Sequence, residues 1–311
     1  MRVKALSWLV SMQSSALSWP HLLLAVAVMA VWGTNFVVIK IALQHLPPLL
    51  LATLRFAFVF FPLALFLKRP AAPWSNLAAY GILIGAGQFG LLFLAMKSDI
   101  TPGLASLIVQ TQIFFTIAFS MRLSGERVRA YQLYALAIAT AGLAIIFLRT
   151  DGSSTPLGIG LVLMAALSWA GGNLVARAGQ PTNMLSYVVW AGLFSVPPLL
   201  LLSIIFEGWP AMVHGVSDAD ATTWAAVLWQ SAGNTMFGYT AWGWLLARYP
   251  ASIVTPMALL VPVFGMGASA LVLGEQMPAW KIVATGLVMT GLALNLLWPI
   301  ISKRTPRRRI Q

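Results

Sequence analysis

The stretch LSGERV at residues 123–128 recurs in outline as VLGEQM at residues 272–277, and it divides the chain into two similar halves. The two Gly-Glu pairs lie 149 residues apart, and each follows a long apolar run. The apolar run after each pair contains Gly-Leu-Ala, at 142–144 and 291–293, again 149 residues apart. This match predicts that the chain contains an internal repeat of one structural unit.

The composition is that of a protein built for a bilayer. Hydrophobic residues make up 59% of the chain, charged residues only 8%, and the mean hydropathy is +0.86. A soluble fold would carry about 25% charged residues. The chain is therefore predicted to be an integral membrane protein, with the lipid bilayer as its surroundings. Its net charge of +12 is explained first by basic loops on one membrane face, so nucleic acid is disfavoured as a partner.

The residue inventory argues against metal and covalent chemistry. The chain has no Cys, which excludes disulfides, thiolate metal sites and a Cys nucleophile. Its three His residues stand far apart in the sequence, and no GxSxG motif or mid-membrane acid supplies a nucleophile or base. We therefore predict no catalytic residue, metal or cofactor, and a membrane-embedded enzyme is disfavoured.

Apolar segments of about 20 residues, the length that crosses a bilayer, recur along the chain between Pro, Gly and charged residues. The predicted fold class is an all-α integral membrane protein with ten transmembrane helices. These are placed near 21–43, 48–67, 74–96, 102–121, 131–148, 157–177, 184–206, 222–246, 251–273 and 279–299.

Lys and Arg are concentrated in every second connection between the predicted helices, and such residues gather on the cytoplasmic side of membranes. If the N-terminus lies inside, 14 of the 19 Lys and Arg residues lie on the inner side. Both termini are therefore predicted to be cytoplasmic. The basic tail at 300–311 is expected to anchor this topology at anionic headgroups, in preference to binding nucleic acid.

Five helices per half is an odd number, so equivalent helices run in opposite directions. The halves, 21–148 and 157–299, are thus predicted to be inverted repeats, an arrangement that is typical of secondary transporters. Residues 1–20 are expected to form a cytoplasmic or interfacial leader, or to precede a true start near Met12. A secretory signal is disfavoured because the apolar stretch is poor.

Several motifs resemble those of the drug/metabolite transporter superfamily with its paired EamA domains. They are VWGTNFVVIKIAL at 31–43, LRF at 54–56, PGLASLIVQTQIFFT at 102–116, Gly-Glu-Arg at 125–127, SWAGGN at 168–173 and VPVFG at 261–265. The resemblance spans roughly residues 22–299 and is strongest to O-acetylserine/cysteine exporters. It implies ten helices, an inner-membrane location and export of small metabolites. Because one scaffold serves many substrates, another amino acid, a nucleobase or a drug is the alternative.

Polar side chains inside a bilayer usually face the interior of the bundle, so they are candidate substrate contacts. Asn35 and Gln88 lie well inside the first and third predicted helices, where interhelical hydrogen bonding is an equally favoured role. Gln110 and Gln112 point about 200° apart around one helix, so at most one faces a central cavity. We favour Gln112.

Trp32 and Trp169 are equivalent in the repeat, since each precedes a cation by eight residues. Trp32 lies about 16 Å into its helix, at midplane depth, whereas anchoring Trp residues lie at headgroup depth. With Phe36 and Asn173, the two Trp residues are predicted to frame a small-molecule pocket.

Lys40 and Arg55 are the outer-side cations nearest the apolar core. Turned inward, they would attract a substrate carboxylate, as expected for zwitterionic amino acids. Lys40 lies near its helix end, where snorkelling to the headgroups is favoured. Arg55 lies deeper and is the stronger binding candidate.

Glu126 and Glu275 are predicted to cap or pair at the start of the following helix rather than to take part in transport. Pro residues within the second, seventh and ninth predicted helices are expected to kink them. Small residues at Gly81, Gly85 and Gly286 are expected to pack inside the monomer, with a homodimer left open.

Together these observations predict an inner-membrane exporter of small amino-acid metabolites that works by alternating access between two halves. The predicted substrate-binding residues are Trp32, Asn35, Arg55, Gln88, Gln112, Trp169 and Asn173.

Overall fold

The computed structural model describes residues 17–124, 129–149, 152–249 and 251–304. Every regular element among these residues is a helix, and one isolated antiparallel bridge joins Ile100 to Ser154. The all-α prediction is confirmed for this part of the chain.

The first half contains five helices. Three of them have Pro in the first turn, where the backbone N–H would have no partner within the helix and its absence therefore costs no hydrogen bond. They are α1 (Trp19–Ala42), α2 (Pro48–Leu63), α3 (Trp74–Ser98), α4 (102–124) and α5 (Ala130–Leu148).

The second half contains six helices. They are α6 (Pro156–Gly179), α7 (Met184–Phe206), α8 (Trp209–Asp218), α9 (221–248), α10 (251–273) and α11 (Ala279–Arg304).

Among the described residues, eight helices are long and apolar enough to cross a membrane, namely α1, α3 to α7, α10 and α11. The chain is thus a multi-pass membrane protein. Of the other two predicted spans, α2 is apolar but has only 16 residues, and α9 carries a polar run at 230–235. A count of ten membrane helices stays a prediction.

The polar stretch at 207–223 contains a helix that the sequence did not predict. Gly208 has a left-handed φ of 80°, and Pro210 occupies the first turn of the ten-residue α8. Met212 is buried on one face, whereas Trp209 and Val213 are exposed. This short amphipathic segment was missed because its few apolar residues fall far short of a membrane span.

Two helices of each half contain irregular turns at corresponding places. The third predicted helix of each half becomes π-helical, at Leu83–Gly90 in α3 and at Gln230–Phe237 in α9. The fourth contains a 3₁₀ turn at Val109–Thr111 in α4 and at Thr255–Leu259 in α10. Such turns mark strain and frequently occur at functional sites.

The most extensive helix contacts join one half to the other. Helix α1 packs on α10, α2 on α7, α3 on α6, and α5 on α11. Glycines allow the close approach: a Cβ on Gly33 would lie 2.6 Å from the Val261 carbonyl oxygen, and one on Gly81 would lie 2.3 Å from that of Ala191. Gly81 and Gly85 therefore pack inside the monomer, as predicted.

Two glycines of α11 provide a matched test of this packing. A Cβ on Gly291 would lie 2.5 Å from the Ala135 carbonyl oxygen on α5, whereas one on Gly286 meets no atom within 4 Å. We expect Gly291→Ala to destabilise the protein by about 1–3 kcal/mol through overpacking. Gly286→Ala should be neutral, or stabilising by up to about 1 kcal/mol, because Ala is the better helix former. Thermal unfolding of the purified protein in detergent compares the two, and equal melting temperatures would contradict the α5–α11 packing.

Candidate functional site

Arg55 lies at the centre of the bundle. Its helix, α2, packs against both π-helical segments, and the side chain is only 1% exposed. The guanidinium carbon lies 3.8 Å from the centroid of the Phe89 ring. Nη2 donates a hydrogen bond to Asn234 Oδ1 at 2.8 Å and a longer one to Thr235 Oγ1 at 3.4 Å. The two π-helical segments thus hold Arg55 from opposite halves of the chain.

Part of the Arg55 guanidinium is unpaired. Nε and Nη1 are buried and have no hydrogen-bond partner among the described residues. No carboxylate of the described chain pairs with Arg55, because the ion pairs found there are Glu275–Lys281 and a longer His45–Asp220 contact. A buried cation without a counter-ion is costly in a membrane. Arg55 is therefore a buried cation for which the described residues supply no counter-ion.

A small cavity adjoins Arg55. It has room for roughly one water molecule. Its lining comes from α2, α3, α7 and α9 and consists of Arg55, Phe56, Tyr80, Ile84, Phe89, Val188, Ala191, Ser195, Thr235 and Tyr239. The cavity is aromatic and hydroxyl-lined, and it draws on both halves.

Trp32 reaches the same centre from α1. Its Nε1 donates to the Asn234 carbonyl oxygen at 3.1 Å, and its ring centroid lies 5.8 Å from that of Tyr239. Asn234 therefore accepts from Trp32 through its backbone and from Arg55 through its side chain. Two of the sequence-predicted residues are joined through a third that was not predicted.

Asn35 and Gln88 are both buried, and the carbonyl oxygen of each amide has no partner in the described chain. Asn35 follows Trp32 by three residues, which places both on one face of α1. Gln88 follows the cavity residue Ile84 by four residues on α3. Asn35 thus shares a helix face with Trp32, and Gln88 lies about one turn from Ile84, although neither amide is among the residues that line the Arg55 cavity.

Gln112 and Asn173 form a separate polar cluster between α4 and α6. Asn173 Nδ2 donates to Gln112 Oε1 at 3.0 Å and to Thr116 Oγ1 at 3.3 Å. Trp169 lies one turn before Asn173 on α6. Across the residues that the structure describes, no hydrogen bond or ring contact joins this cluster to Arg55. The seven predicted residues thus fall into an Arg55 group and a Gln112 group.

The two Gln residues of α4 diverge as their spacing predicts. Gln110 Nε2 makes a long contact of 3.4 Å with the Ala258 carbonyl oxygen on α10, whereas Gln112 contacts α6. Gln110 therefore bridges to a different helix.

Lys40 does not reach the cavity. Its Nζ donates to the carbonyl oxygens of Met96 and Lys97 at 2.9 Å each, at the end of α3. A cation at a helix C-terminus is favourable because the last carbonyl groups lack helical partners. Lys40 is thus placed where it stabilises a helix end.

Glu275 binds a helix start in the other half of the chain. It accepts from the Gly103 backbone N–H at 3.0 Å and from Thr101 Oγ1 at 2.5 Å, and it pairs with Lys281 Nζ at 3.1 Å. Ser269 Oγ donates to it as well. The predicted pairing with the following helix is correct, but the helix that Glu275 caps is α4, since its turn lies against residues 101–103. Glu126 lies outside the described residues.

Glu207 makes a similar cap at α2. Its carboxylate accepts from the backbone N–H groups of Leu49 at 2.6 Å and Leu50 at 3.1 Å, and from Ser203 Oγ at 2.6 Å. Carboxylates from the second half thus hold the starts of the two helices that carry Arg55 and Gln112.

Sequence reasoning missed Asn234, Thr235, Tyr80 and Tyr239. The run Gln230 to Thr235 holds four polar residues within a predicted span, and this was a usable signal. The tyrosines gave none, because Tyr in an apolar helix is also common at membrane interfaces.

Comparison with known proteins connects this arrangement to transport. A model of the EamA-like transporter family matches residues 19–148 and 156–297. Proteins named probable amino-acid metabolite efflux pump in Salmonella typhimurium and Escherichia coli K12 are 40% identical over 279 residues and 39% identical over 280 residues. Each alignment covers 88% of this chain and 93% of the relative.

A more distant relative is named probable terminal-alkyne amino-acid exporter, from Streptantibioticus cattleyicolor. It is 26% identical over 290 residues, which cover 89% of this chain and 92% of that protein. One solved crystal structure superposes with a TM-score of 0.62 at 19% identity, over 91% of this chain and 99% of the other. That likeness shows a shared fold.

Proposed function

Because the chain belongs to the EamA-like transporter family, we propose that it exports small amino-acid metabolites, such as O-acetylserine or cysteine, across the inner membrane. The protein is a transporter rather than an enzyme. Three of its relatives carry names that refer to export of amino acids or their metabolites. Another amino acid, a nucleobase or a drug is the alternative substrate.

The observation that carries this proposal is the unpaired guanidinium of Arg55. A carboxylate forms strong, charge-assisted hydrogen bonds with a guanidinium, and here Nε and Nη1 are both without a partner among the described residues. An amino-acid metabolite supplies such a carboxylate, whereas a neutral nucleobase or a cationic drug does not. Arg55 therefore favours amino-acid metabolites over the alternatives.

The two halves would expose this site alternately. The Arg55 cavity has room for roughly one water molecule, so an amino acid enters only after helices move apart. The matched π-helical and 3₁₀ turns lie in helices of both halves, and the main helix contacts run between the halves. These features support ten membrane helices in two inverted repeats, 21–148 and 157–299.

In this topology both termini are cytoplasmic, with 1–20 as a leader and 300–311 as a basic tail. The Glu207 and Glu275 caps then lie at the outer end of the bundle, where they hold the outer side closed. Opening toward the outside requires both caps to release.

Two measurements test the export proposal. Cells with and without the protein are compared by profiling the metabolites in the medium, and an amino-acid metabolite is expected to accumulate outside the cells that contain it. Vesicles that contain purified protein are then loaded with that labelled metabolite. Unchanged efflux from vesicles with well-folded protein would reject a carrier.

Gln112→Leu tests the second polar cluster. The change removes the acceptor for Asn173 and Thr116, and we expect export to be abolished while insertion and expression stay normal. Gln110→Leu is the matched control, because it makes the same change two residues away on a side chain that contacts α10. Normal export by Gln112→Leu, measured in loaded vesicles, would show that the Gln112 cluster is not needed for transport.

A further inference from the structure

We propose that the side-chain oxygens of Gln88, Gln230 and Asn35 form a subsite for the substrate's ammonium group, next to the carboxylate position at Arg55. This inference rests on the proposed function and adds that the carrier selects zwitterions over simple carboxylates.

The subsite is indicated by buried amides that lack partners. Gln230 is 0% exposed, and neither its Oε1 nor its Nε2 has a hydrogen-bond partner among the described residues. Gln88 Oε1 and Asn35 Oδ1 are buried and unpartnered in the same way. Most buried polar groups in folded proteins are hydrogen-bonded, so three buried amides with unpaired oxygens require an explanation.

Gln230 lies beside Arg55 through its own helix. Its backbone carbonyl oxygen accepts from Thr235 Oγ1 at 3.0 Å, and Thr235 also contacts Arg55 Nη2. The next residue, Ser231, donates through Oγ to the Arg55 carbonyl oxygen at 3.2 Å. One π-helical turn separates Gln230 from Asn234 and Thr235, which places all three on the face of α9 that meets Arg55.

Gln88 approaches from α3 and Asn35 from α1. Gln88 lies about one turn beyond Ile84, which lines the cavity, and it precedes Phe89, whose ring covers the guanidinium. Asn35 shares a helix face with Trp32, which is hydrogen-bonded to Asn234. The three unpaired amides thus belong to three different helices, and each lies on its helix within about one turn of a residue that contacts Arg55, Asn234 or the cavity.

The chemistry of the free groups is complementary to a zwitterion. Arg55 offers only donors, as a carboxylate requires, and the amide oxygens offer acceptors, as the three N–H groups of an ammonium require. No Asp or Glu of the sequence lies inside a predicted membrane helix, so neutral oxygens are the acceptors available there.

The test compares two ligands that differ only in the amine, O-acetylserine and 3-acetoxypropionate. Their dissociation constants are measured by calorimetry on purified full-length protein. We expect the wild type to bind O-acetylserine at least about 10-fold more tightly, as a charge-assisted hydrogen bond predicts. Gln88→Leu and Gln230→Leu should each reduce this ratio by about 10-fold while changing 3-acetoxypropionate binding less than about 2-fold.

Gln110→Leu serves as the matched control and should keep the wild-type ratio. If Gln88→Leu does not fold, Gln88→Met repeats the measurement with a side chain of similar length. An unchanged ratio, as expected if the amides hold only water, overturns the subsite, and so does an equal loss for both ligands. Vesicle efflux of O-acetylserine by the wild type separates the two proposals. If the wild type exports O-acetylserine but the variants keep the wild-type binding ratio, only the subsite is rejected. If the wild type neither binds nor exports any amino-acid metabolite, both proposals are rejected.

Discussion

Arg55→Met is expected to lower export of amino-acid metabolites at least about 100-fold, as removal of one member of a buried charge-assisted pair predicts. Met has a similar length and no charge, so it removes the two free N–H donors that would bind the substrate carboxylate. Arg55→Lys should also fail, because a single ammonium cannot replace the planar fork of a guanidinium. Efflux of labelled substrate from vesicles with equal amounts of protein measures both variants.

Arg55→Met should leave the protein as stable as the wild type, or more stable. The wild type keeps an uncompensated cation at 1% exposure, and exchange of buried ionic groups for apolar ones is often neutral or stabilising. Loss of the hydrogen bond to Asn234 offsets part of this gain, because it lowers the free energy of unfolding by about 1–3 kcal/mol.

Arg149→Leu is the control for export, because it removes an exposed arginine at the end of α5 and should preserve export. Near-normal export by Arg55→Met, with a normal melting temperature, would exclude Arg55 from the site.

Glu275→Ala is expected to destabilise the protein by about 3–5 kcal/mol, because Lys281 would be left as a buried, unpaired charge. The Glu275 and Lys281 side chains are 6% and 1% exposed and lie 3.1 Å apart. The substitution also removes the acceptor for the Gly103 N–H at the start of α4. Thermal or chemical unfolding of the purified protein in detergent measures the loss.

A second substitution separates the ion pair from the cap. Lys281→Met in the Glu275→Ala background should recover part of the lost stability, because no buried charge then remains unpaired. A double variant that is as unstable as Glu275→Ala alone would show that the cap on α4 carries the whole effect. A normal melting temperature for Glu275→Ala would contradict the buried pair itself.

Helix ends were predictable because the chain marks them with Pro, Gly and charge. The predicted spans 184–206 and 251–273 coincide with α7 and α10. Helix α2 ends at Leu63 instead of residue 67. The π-helical turns at Leu83–Gly90 and Gln230–Phe237 were not predictable, because hydropathy and residue spacing do not distinguish a π-helical turn from the α-helix around it.

The depth of the candidate residues was predictable from the sequence, but their lateral arrangement was not. Arg55 and Trp32 were singled out because a cation near the apolar core and a large indole at midplane depth need a protein environment. Gln112 lies at a similar depth, yet it contacts Asn173 rather than the Arg55 group. Depth follows from counting residues along a helix, whereas lateral position depends on which helices are neighbours.

The order of synthesis gives the caps on α2 and α4 a further meaning. The N–H group of Gly103 is met by a carboxylate that enters the chain 172 residues later, and that of Leu49 by one 158 residues later. Until Glu207 and Glu275 have been synthesised, these carboxylates cannot cap the starts of α2 and α4. The two helix starts of the first half are therefore capped only once the second half has been made.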